Sequence, residues 1–552
     1  MLRDTTQEIL DSIDRTKPID PDDISEQVVR LTEDRFTLHN AAVPKGGAKW
    51  PIPLSPQPAQ IAMMMAELYP IVRVSCIETS VDDEYDLLAI YQTEGSDEGI
   101  YVTKESALRE IARKFDFSLK KRDIAEVLDV LQDIVPRVER NKDRDLIAVG
   151  NGIFNYRTKQ LMPFSPEHVF LSKSIVDYVP NPANPVIHNP DGTTWDVESW
   201  VYGLTDDPEI TNLLWQIMGA IIRPYVSWNK SAWFYSEVGS NGKGTLCRLM
   251  RNLCGEGNCA TLKLTDFSKD FALEPLTHVS AIINDENQVG TFVDKAAELK
   301  AIITGDTIQI NRKFKQSIAY QFKGFMVQCV NEMPRVKDKS ESFYRRQIFV
   351  PFRKRFLGNT ENKLIKDDYL QRTDVLQYVL WKVLNMNYYT LSEPAACSNM
   401  LNEYKEFNDP VRQFWTEFSD RYAWDLLPFT FLYDHYKSWF QRNTPGGAIV
   451  GSRTFIANLE AVLRLDQVWT IPKGLDGKNT KVRSKGRMDG PEPLILEYNL
   501  TSWMSQKGSA SRDHKAQPDS PLDTYRGVLR TALVPQLTAE MNGQPAETAQ
   551  EE

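Results

Sequence analysis

Ser231-Ala-Trp-Phe-Tyr-Ser-Glu-Val-Gly-Ser-Asn-Gly-Lys-Gly-Thr245 is the stretch on which the reading of this chain turns. Ala232 to Tyr235 is an apolar run of strand length. A glycine-rich turn follows, and then Leu246, Leu249 and Met250 recur at helical spacing. Strand, glycine turn and helix make a phosphate site. Glycines let backbone N–H groups close around phosphate oxygens, and the helix N-terminus adds partial positive charge. Lys243 is placed to reach the β- and γ-phosphates of a nucleotide. Gly239, Ser240, Asn241, Gly242, Lys243, Gly244 and Thr245 are therefore the candidate nucleotide-binding residues. The usual pattern is G-x-x-x-x-G-K-[ST]. Here Glu237 takes the first Gly position and Gly244 the Ser/Thr position, with Thr245 one residue later.

Four further elements follow within one stretch. Val279-Ser-Ala-Ile-Ile-Asn-Asp-Glu286 reads as a buried strand ending in two carboxylates. Asp285 can hold Mg²⁺, with Thr245 as a second candidate ligand, and Glu286 can polarise a water. Glu298 to Thr304 reads as a helix ending at Gly305. Thr307 to Lys315 then reads as a strand and turn that carries Arg312, Lys313 and Lys315 around Phe314. Basic side chains with an aromatic can hold a single strand by phosphate contact and base stacking. Phe325-Met-Val-Gln-Cys-Val-Asn331 is another apolar strand, and its terminal amide can contact a γ-phosphate or a water. Arg345 and Arg346 precede the β-prone run Gln347 to Phe352. An arginine delivered from a neighbouring subunit stabilises transition-state charge.

The chain has 552 residues, room for roughly three or four domains. Apolar residues at 41% and charged residues at 25% exclude a disordered or fibrous chain. No uncharged apolar run reaches membrane-spanning length, and residues 1–23 lack the apolar segment of a secretory signal. A soluble, cytoplasmic protein is expected. Cys247, Cys254 and Cys259 cluster, but without a CxxC pair; six cysteines are read as reduced thiols. Net charge is −10, and residues 1–40 hold ten acidic against five basic side chains. Lys473, Lys478, Lys481, Arg483, Lys485 and Arg487 face Asp476 alone in their stretch. Such a stripe can bind phosphates on an acidic protein, because screening limits distant charge to about 10 Å.

The pattern predicts an α/β fold. Residues 1–135 form an α+β region of unassigned role, with a hairpin over 85–103 and helices over 104–136. Residues 136–228 run from short strands into a helical collar. Residues 229–357 alternate strands and helices, 358–425 form a helical lid or linker, and 506–552 are a mostly disordered tail. In 426–505, a helix starting near Ser452, a strand at 468–471, the basic stretch and a strand at 494–498 follow the order of a winged helix. The basic loop would lie on the phosphate backbone.

The five central elements resemble superfamily 3 helicases, most closely the phage and plasmid primase-helicase branch related to the poxvirus primase-helicase. The resemblance rests on Asn241-Gly242-Lys243, Asn284-Asp285-Glu286, Leu299-Lys300 with Thr304-Gly305-Asp306, Asn331, and Arg345-Arg346 with Pro351-Phe352. Asn151-Gly152-Ile-Phe-Asn-Tyr156 with Pro166-Glu167, and Phe431 to Trp439 with Ser452-Arg-Thr-Phe455, extend it over roughly 140–505. Residues 1–135 show no primase signature. The resemblance implies a AAA+-type P-loop ATPase core, a ring that is usually hexameric, and ATP with Mg²⁺ bound between subunits. Arg345 or Arg346 would cross from the neighbour. The hairpin at Arg312–Lys315 would enter the channel and move with nucleotide state, driving 3′ to 5′ movement on single-stranded or forked DNA. A separate primase or polymerase is a candidate partner.

Two other classes fit parts of the pattern. A replication initiator or loader would use ATP as an assembly switch without processive unwinding. A small-molecule kinase is suggested by Gly-Lys-Gly-Thr, which is similar to adenylate-kinase-like loops. The long flanks and the basic C-terminal unit argue against the kinase.

Overall fold

The computed structural model describes residues 1–541 apart from 78–84, 314–315, 359–361, 444–448, 465, 475 and 508–511. The chain divides into two units, Met1–Leu401 and Asn402–Glu552. It is a mixed α/β protein with several separate sheets. No helix among the described residues is long and apolar enough to cross a membrane.

The centre of the first unit is a five-stranded sheet. Its strands are β1 (Ser231–Tyr235), β2 (Cys259–Ala260), β3 (Ala281–Asn284), β4 (Phe325–Val330) and β5 (Gln347–Pro351). They lie in the order β2-β3-β4-β1-β5, and every pairing is parallel. Parallel strands covered on both faces read as continuous apolar runs, and every residue of β3, β4 and β5 is buried. The cover includes α1 (Pro208–Ile222), α2 (Lys243–Cys254) and α4 (Thr373–Asn385), with α3 (Ala296–Thr304) between β3 and β4 in the chain. Consecutive β1 and β2 lie on different sides of β4. The chain therefore reverses its direction of travel beside β1, where α/β sheets open a ligand crevice at their carboxyl ends.

Before this sheet, helices Leu2–Ser12, Pro21–Ala42, Pro58–Leu68, Glu105–Phe115 and Lys121–Ile134 pack against a four-stranded sheet. The expected hairpin is present, with Leu87–Tyr91 antiparallel to Tyr101–Val102. It is joined by Ile71–Ser75 and Arg137–Glu139, neither of which was anticipated. The meander Leu146–Val149, Gly152–Asn155 and Gln160–Met162 follows. Between β3 and β4 in the chain, Thr307–Ile310 and Ile318–Gln321 pair as the antiparallel hairpin.

The second unit has its own aromatic core. In chain order it contains α5 (Pro410–Phe418), β6 (Leu426–Pro428), α6 (Phe429–Asn443), α7 (Ser452–Leu463), β7 (Trp469–Thr470) and β8 (Gly527–Arg530). The sheet order is β6-β8-β7, antiparallel throughout.

Three expectations are corrected here. The tail is not mostly disordered over its described part, because β8 is the central strand of this sheet and Val528 and Leu529 are fully buried. Leu494 to Tyr498 is no strand. Pro493–Glu497 is a helical turn started by Pro493, with the Glu492 carboxylate accepting the Leu494 N–H. The lid expected over 358–425 is divided: α4 packs in the first core, whereas Val411, Phe414, Trp415 and Phe418 of α5 belong to the second. Leu529→Ala is expected to lower the unfolding free energy of the second unit by about 2–5 kcal/mol. Denaturant unfolding followed by tryptophan fluorescence measures it; an unstructured tail would give no change.

Candidate active site

The candidate nucleotide-binding residues, Gly239 to Thr245, form a tight turn off the end of β1. Ser240 (φ 57°) and Gly242 (φ 84°) take left-handed backbone. The φ favours glycine there, and a Cβ on Gly242 would stand 2.5 Å from Leu204 Cδ2, which would have to shift. Asn241 is buried and braces the turn: its side-chain amide donates to the Val238 carbonyl, and its Oδ1 accepts the Lys243 N–H at 3.2 Å. Lys243 is the first residue of α2. The N–H groups of a first helical turn have no carbonyl one turn behind them, which leaves them for an anion. Gly239 and Gly244 face open space.

Lys243 itself is buried, only 4% exposed. Its ammonium donates to the Ser236 carbonyl at 3.2 Å, the Val330 carbonyl at 3.2 Å and Asn331 Oδ1 at 2.7 Å. Burial brings its pKa down from the usual lysine range to about 8. One cation thus ties together the ends of β1, β4 and the loop.

Asp285 and Glu286 follow β3 and are both exposed. They are held by a buried amide network that the sequence reading missed. Asn284 Nδ2 donates to the Glu286 carbonyl at 3.0 Å and to Gln328 Oε1 at 3.2 Å. Asn287 Nδ2 donates to Gln328 Oε1 and to the Cys329 carbonyl, both at 3.0 Å, and Gln328 Nε2 donates to the Leu262 carbonyl at 3.0 Å. The available signal was a glutamine inside the otherwise apolar run of β4. The Thr245 hydroxyl is half-buried and makes no hydrogen bond among the described residues. Thr245, Ser240 and Gly242 line one side of a cavity of about 220 Å³, with Trp200, Leu204, Phe356, Asn362 and Ile365 completing it. None of those five was anticipated.

The structure does not bring Arg345 and Arg346 to this edge. The Ser231 N–H donates to the Arg346 carbonyl at 2.7 Å, which puts both arginines at the start of β1 and β5. The loop lies at the other end, and five residues of strand span roughly 16 Å. The two arginines differ. Arg346 Nη1 is held by the Ser342 carbonyl, whereas Arg345 is exposed and makes no side-chain hydrogen bond or ion pair among the described residues.

In the hairpin, Arg312 Nε donates to the Gln316 carbonyl at 3.0 Å, and Lys313 is exposed. Phe314 and Lys315 lie outside the described residues. Lys300, on α3, pairs with Asp338 at 2.6 Å.

In the second unit, Lys481, Arg483 and Lys485 are exposed, Lys473 pairs with Glu460 at 2.8 Å, and Lys478 stands 3.7 Å from Asp476. Arg487 departs from the expected surface stripe. It is buried, with Nη1 directed at the Arg483 carbonyl, and its own carbonyl accepts the Asp425 N–H at 2.9 Å. The cysteines are free thiols, and no group of three or more His, Cys, Asp or Glu side chains forms a metal cluster among the described residues. Gln328→Leu should strand the Asn284 and Asn287 amides and cost about 1–3 kcal/mol for each group left unpaired, measured by thermal unfolding of the first unit.

Comparison with known proteins adds three family matches. Residues 63–206 match a family described as D5 N terminal like, and residues 406–485 match one described as Poxvirus D5 protein-like. Residues 234–346, which hold most of the site, match a family of unknown function, DUF5906. Among solved structures, the chain is similar to the apo A form of the NrS-1 C-terminal region at 13% identity, with 74% of this chain and 86% of that chain covered and a TM-score of 0.39. A second A-form structure, of its residues 305–718, gives 14% identity, 81% and 91% coverage and a TM-score of 0.40. In the sequence, the two D5-like segments precede and follow the stretch that holds most of the five-stranded sheet, and the chain resembles D5 proteins over residues 63–206 and 406–485.

Proposed function

We propose that this protein is an ATP-dependent DNA helicase serving replication of a phage or another mobile element, working as a ring, hexameric by resemblance, that moves 3′ to 5′. The D5-like kinship supports a replication role on DNA. The observation that carries the motor reading is the convergence at one sheet edge of Lys243, Asp285, Glu286 and Asn331, each at the carboxyl end of β1, β3 or β4 or in the loop beyond it. The all-parallel order β2-β3-β4-β1-β5 supports a AAA+-type P-loop core.

The residues fit ATP and Mg²⁺. Oxygen donors suit a hard cation, and Mg²⁺ sites take one or two carboxylates with substrate phosphates rather than a full protein cage. Asp285 and Thr245 would hold the metal, which would neutralise charge on the phosphate oxygens. Lys243 and the first-turn amides of α2 would bind the phosphates, and the cavity beside Thr245 would take the nucleoside. Lys243 would then leave Asn331, freeing that amide to orient a water that Glu286 polarises. Arg345 and Arg346 sit at the far end of their own sheet, which supports delivery to a neighbour's site. Arg345, exposed and unengaged, is the better finger of the two. Arg312 and Lys313, with Phe314 and Lys315, would contact single-stranded DNA.

The order α5-β6-α6-α7-β7-β8, with a sheet β6-β8-β7, supports a winged-helix reading of the second unit. Lys473, Lys478, Lys481, Arg483 and Lys485 would lie on the phosphate backbone. A separate primase or polymerase is the expected partner, and the host cytoplasm the place of action.

Strand displacement on forked DNA tests the reading. Wild type should unwind in an ATP-dependent manner, and Lys243→Ala should lose both hydrolysis and unwinding. Hydrolysis without unwinding would support the initiator or loader instead. The lysine also sets a pH dependence. Free Lys243 loses its proton near pH 8, while phosphate keeps it charged. Affinity for a non-hydrolysable ATP analogue should be flat below about pH 7 and fall by up to about tenfold per unit above 8. Calorimetric titration from pH 6.5 to 9.5 measures this, and proton uptake on binding should appear over the same range.

A further inference from the structure

Residues 1–135 carry none of the chemistry assigned above, yet their sheet ends against the hairpin. The strands Ile71–Ser75 and Arg137–Glu139 run in parallel register, and Ser75 pairs with Glu139. The residues that come next, Cys76 and Arg140, meet the root of the hairpin. Arg140 is buried. Its Nη1 donates to the Tyr320 hydroxyl at 3.0 Å, and its Nη2 donates to the carbonyls of Cys76 and Gln321, each at 3.0 Å. The guanidinium also lies 4.9 Å from the centroid of the Tyr320 ring. The Gln321 N–H donates to the Cys76 carbonyl at 3.2 Å. Tyr320 and Gln321 are the last two residues of the hairpin's returning strand.

The joint extends toward the carboxylates. Tyr320 is buried, and its hydroxyl lies 3.4 Å from the Thr277 carbonyl, shortly before β3 begins.

Burying a guanidinium is costly unless its donors are satisfied. This one binds carbonyls from two different segments and a phenol between them. A planar fork holds its acceptors in one relative geometry, which a flexible ammonium does not. A hairpin whose role was only to swing freely would have no use for such an anchor at its root.

We propose that Arg140 is a positioning residue that fixes the hairpin root to the N-terminal sheet, so that the two move as one body. Through this joint the N-terminal region sets how strongly DNA at the hairpin accelerates ATP hydrolysis. The proposal rests on the reading of the hairpin as the DNA-contacting element.

The test uses the full chain and Arg140→Met, which keeps an unbranched stem and loses the fork. Hydrogen–deuterium exchange should become about tenfold faster or more at the amides of 318–321 and 71–76, with β1 and β4 unchanged. Hydrolysis without DNA should stay within about twofold of wild type, while stimulation by single-stranded DNA should fall by about tenfold. Arg140→Lys, which keeps the charge without the fork, should behave like the methionine variant, and Tyr320→Phe should give a smaller loss of stimulation. Unchanged exchange at 318–321 would overturn the joint. Equal loss of basal and DNA-stimulated hydrolysis, or full rescue by lysine, would overturn the coupling. A wild type that hydrolyses ATP with no response to DNA would overturn the hairpin's assignment and the coupling together, and the exchange rates would still decide the joint.

Discussion

A buried ammonium needs oxygen around it, and the first unit is arranged so that Lys243 finds three acceptors. Two are backbone carbonyls, from Ser236 and Val330, and the third is the side chain of Asn331. None of these groups is local to the lysine in helical terms. They converge because β1 and β4 are adjacent and parallel, so both chains leave the sheet at the same edge. The same parallelism puts Asp285 and Glu286 one strand further along that edge. Parallel pairing requires crossovers, and crossovers bring the helices that bury both faces. The apolar character of the strands, the cover of α1, α2 and α4, and the location of the polar residues therefore follow from one geometric choice.

The polar groups beneath the edge make it rigid. Asn284, Asn287 and Gln328, all buried, satisfy one another and three backbone carbonyls. Such a network is stable only when complete. It fixes the backbone on which the carboxylates stand while leaving the carboxylates exposed. The arginines at the opposite end illustrate the complementary constraint: no rotamer of a single side chain spans the length of its own sheet.

Much of this was legible in the residues. The apolar run, glycine turn and helix around Gly242 and Lys243 stand where the pattern put them, and Thr-Ile-Gln-Ile over 307–310 alternates exposed and buried as its pattern implies. What escaped was non-local. Gly-Val-Leu-Arg at 527–530 is four residues in a polar stretch, and nothing nearby reveals that its partners lie at Leu426–Pro428 and Trp469–Thr470. Leu494 to Glu497 is a short apolar run, for which periodicity does not separate strand from helix. Pro493 at the first helical position and Glu492 as its cap were the readable clue. Arg487 looked like its basic neighbours because charge in a sequence does not say which side chain turns inward.

The late position of β8 has a consequence for how the protein is made. Everything needed for the first unit has left the ribosome once residue 401 is clear, and its sheet can close while synthesis continues. The second unit cannot do this. Its outer strands wait for a central strand that is translated well after both of them. At about 5–20 residues per second, that delay is on the order of ten seconds. During it, the aromatic faces of α5 and α6 and two unpaired strand edges stand exposed to the cell. The unit that the chain begins to build at residue 402 is therefore open to misassembly, and in need of a chaperone, until Gly527 to Arg530 arrives.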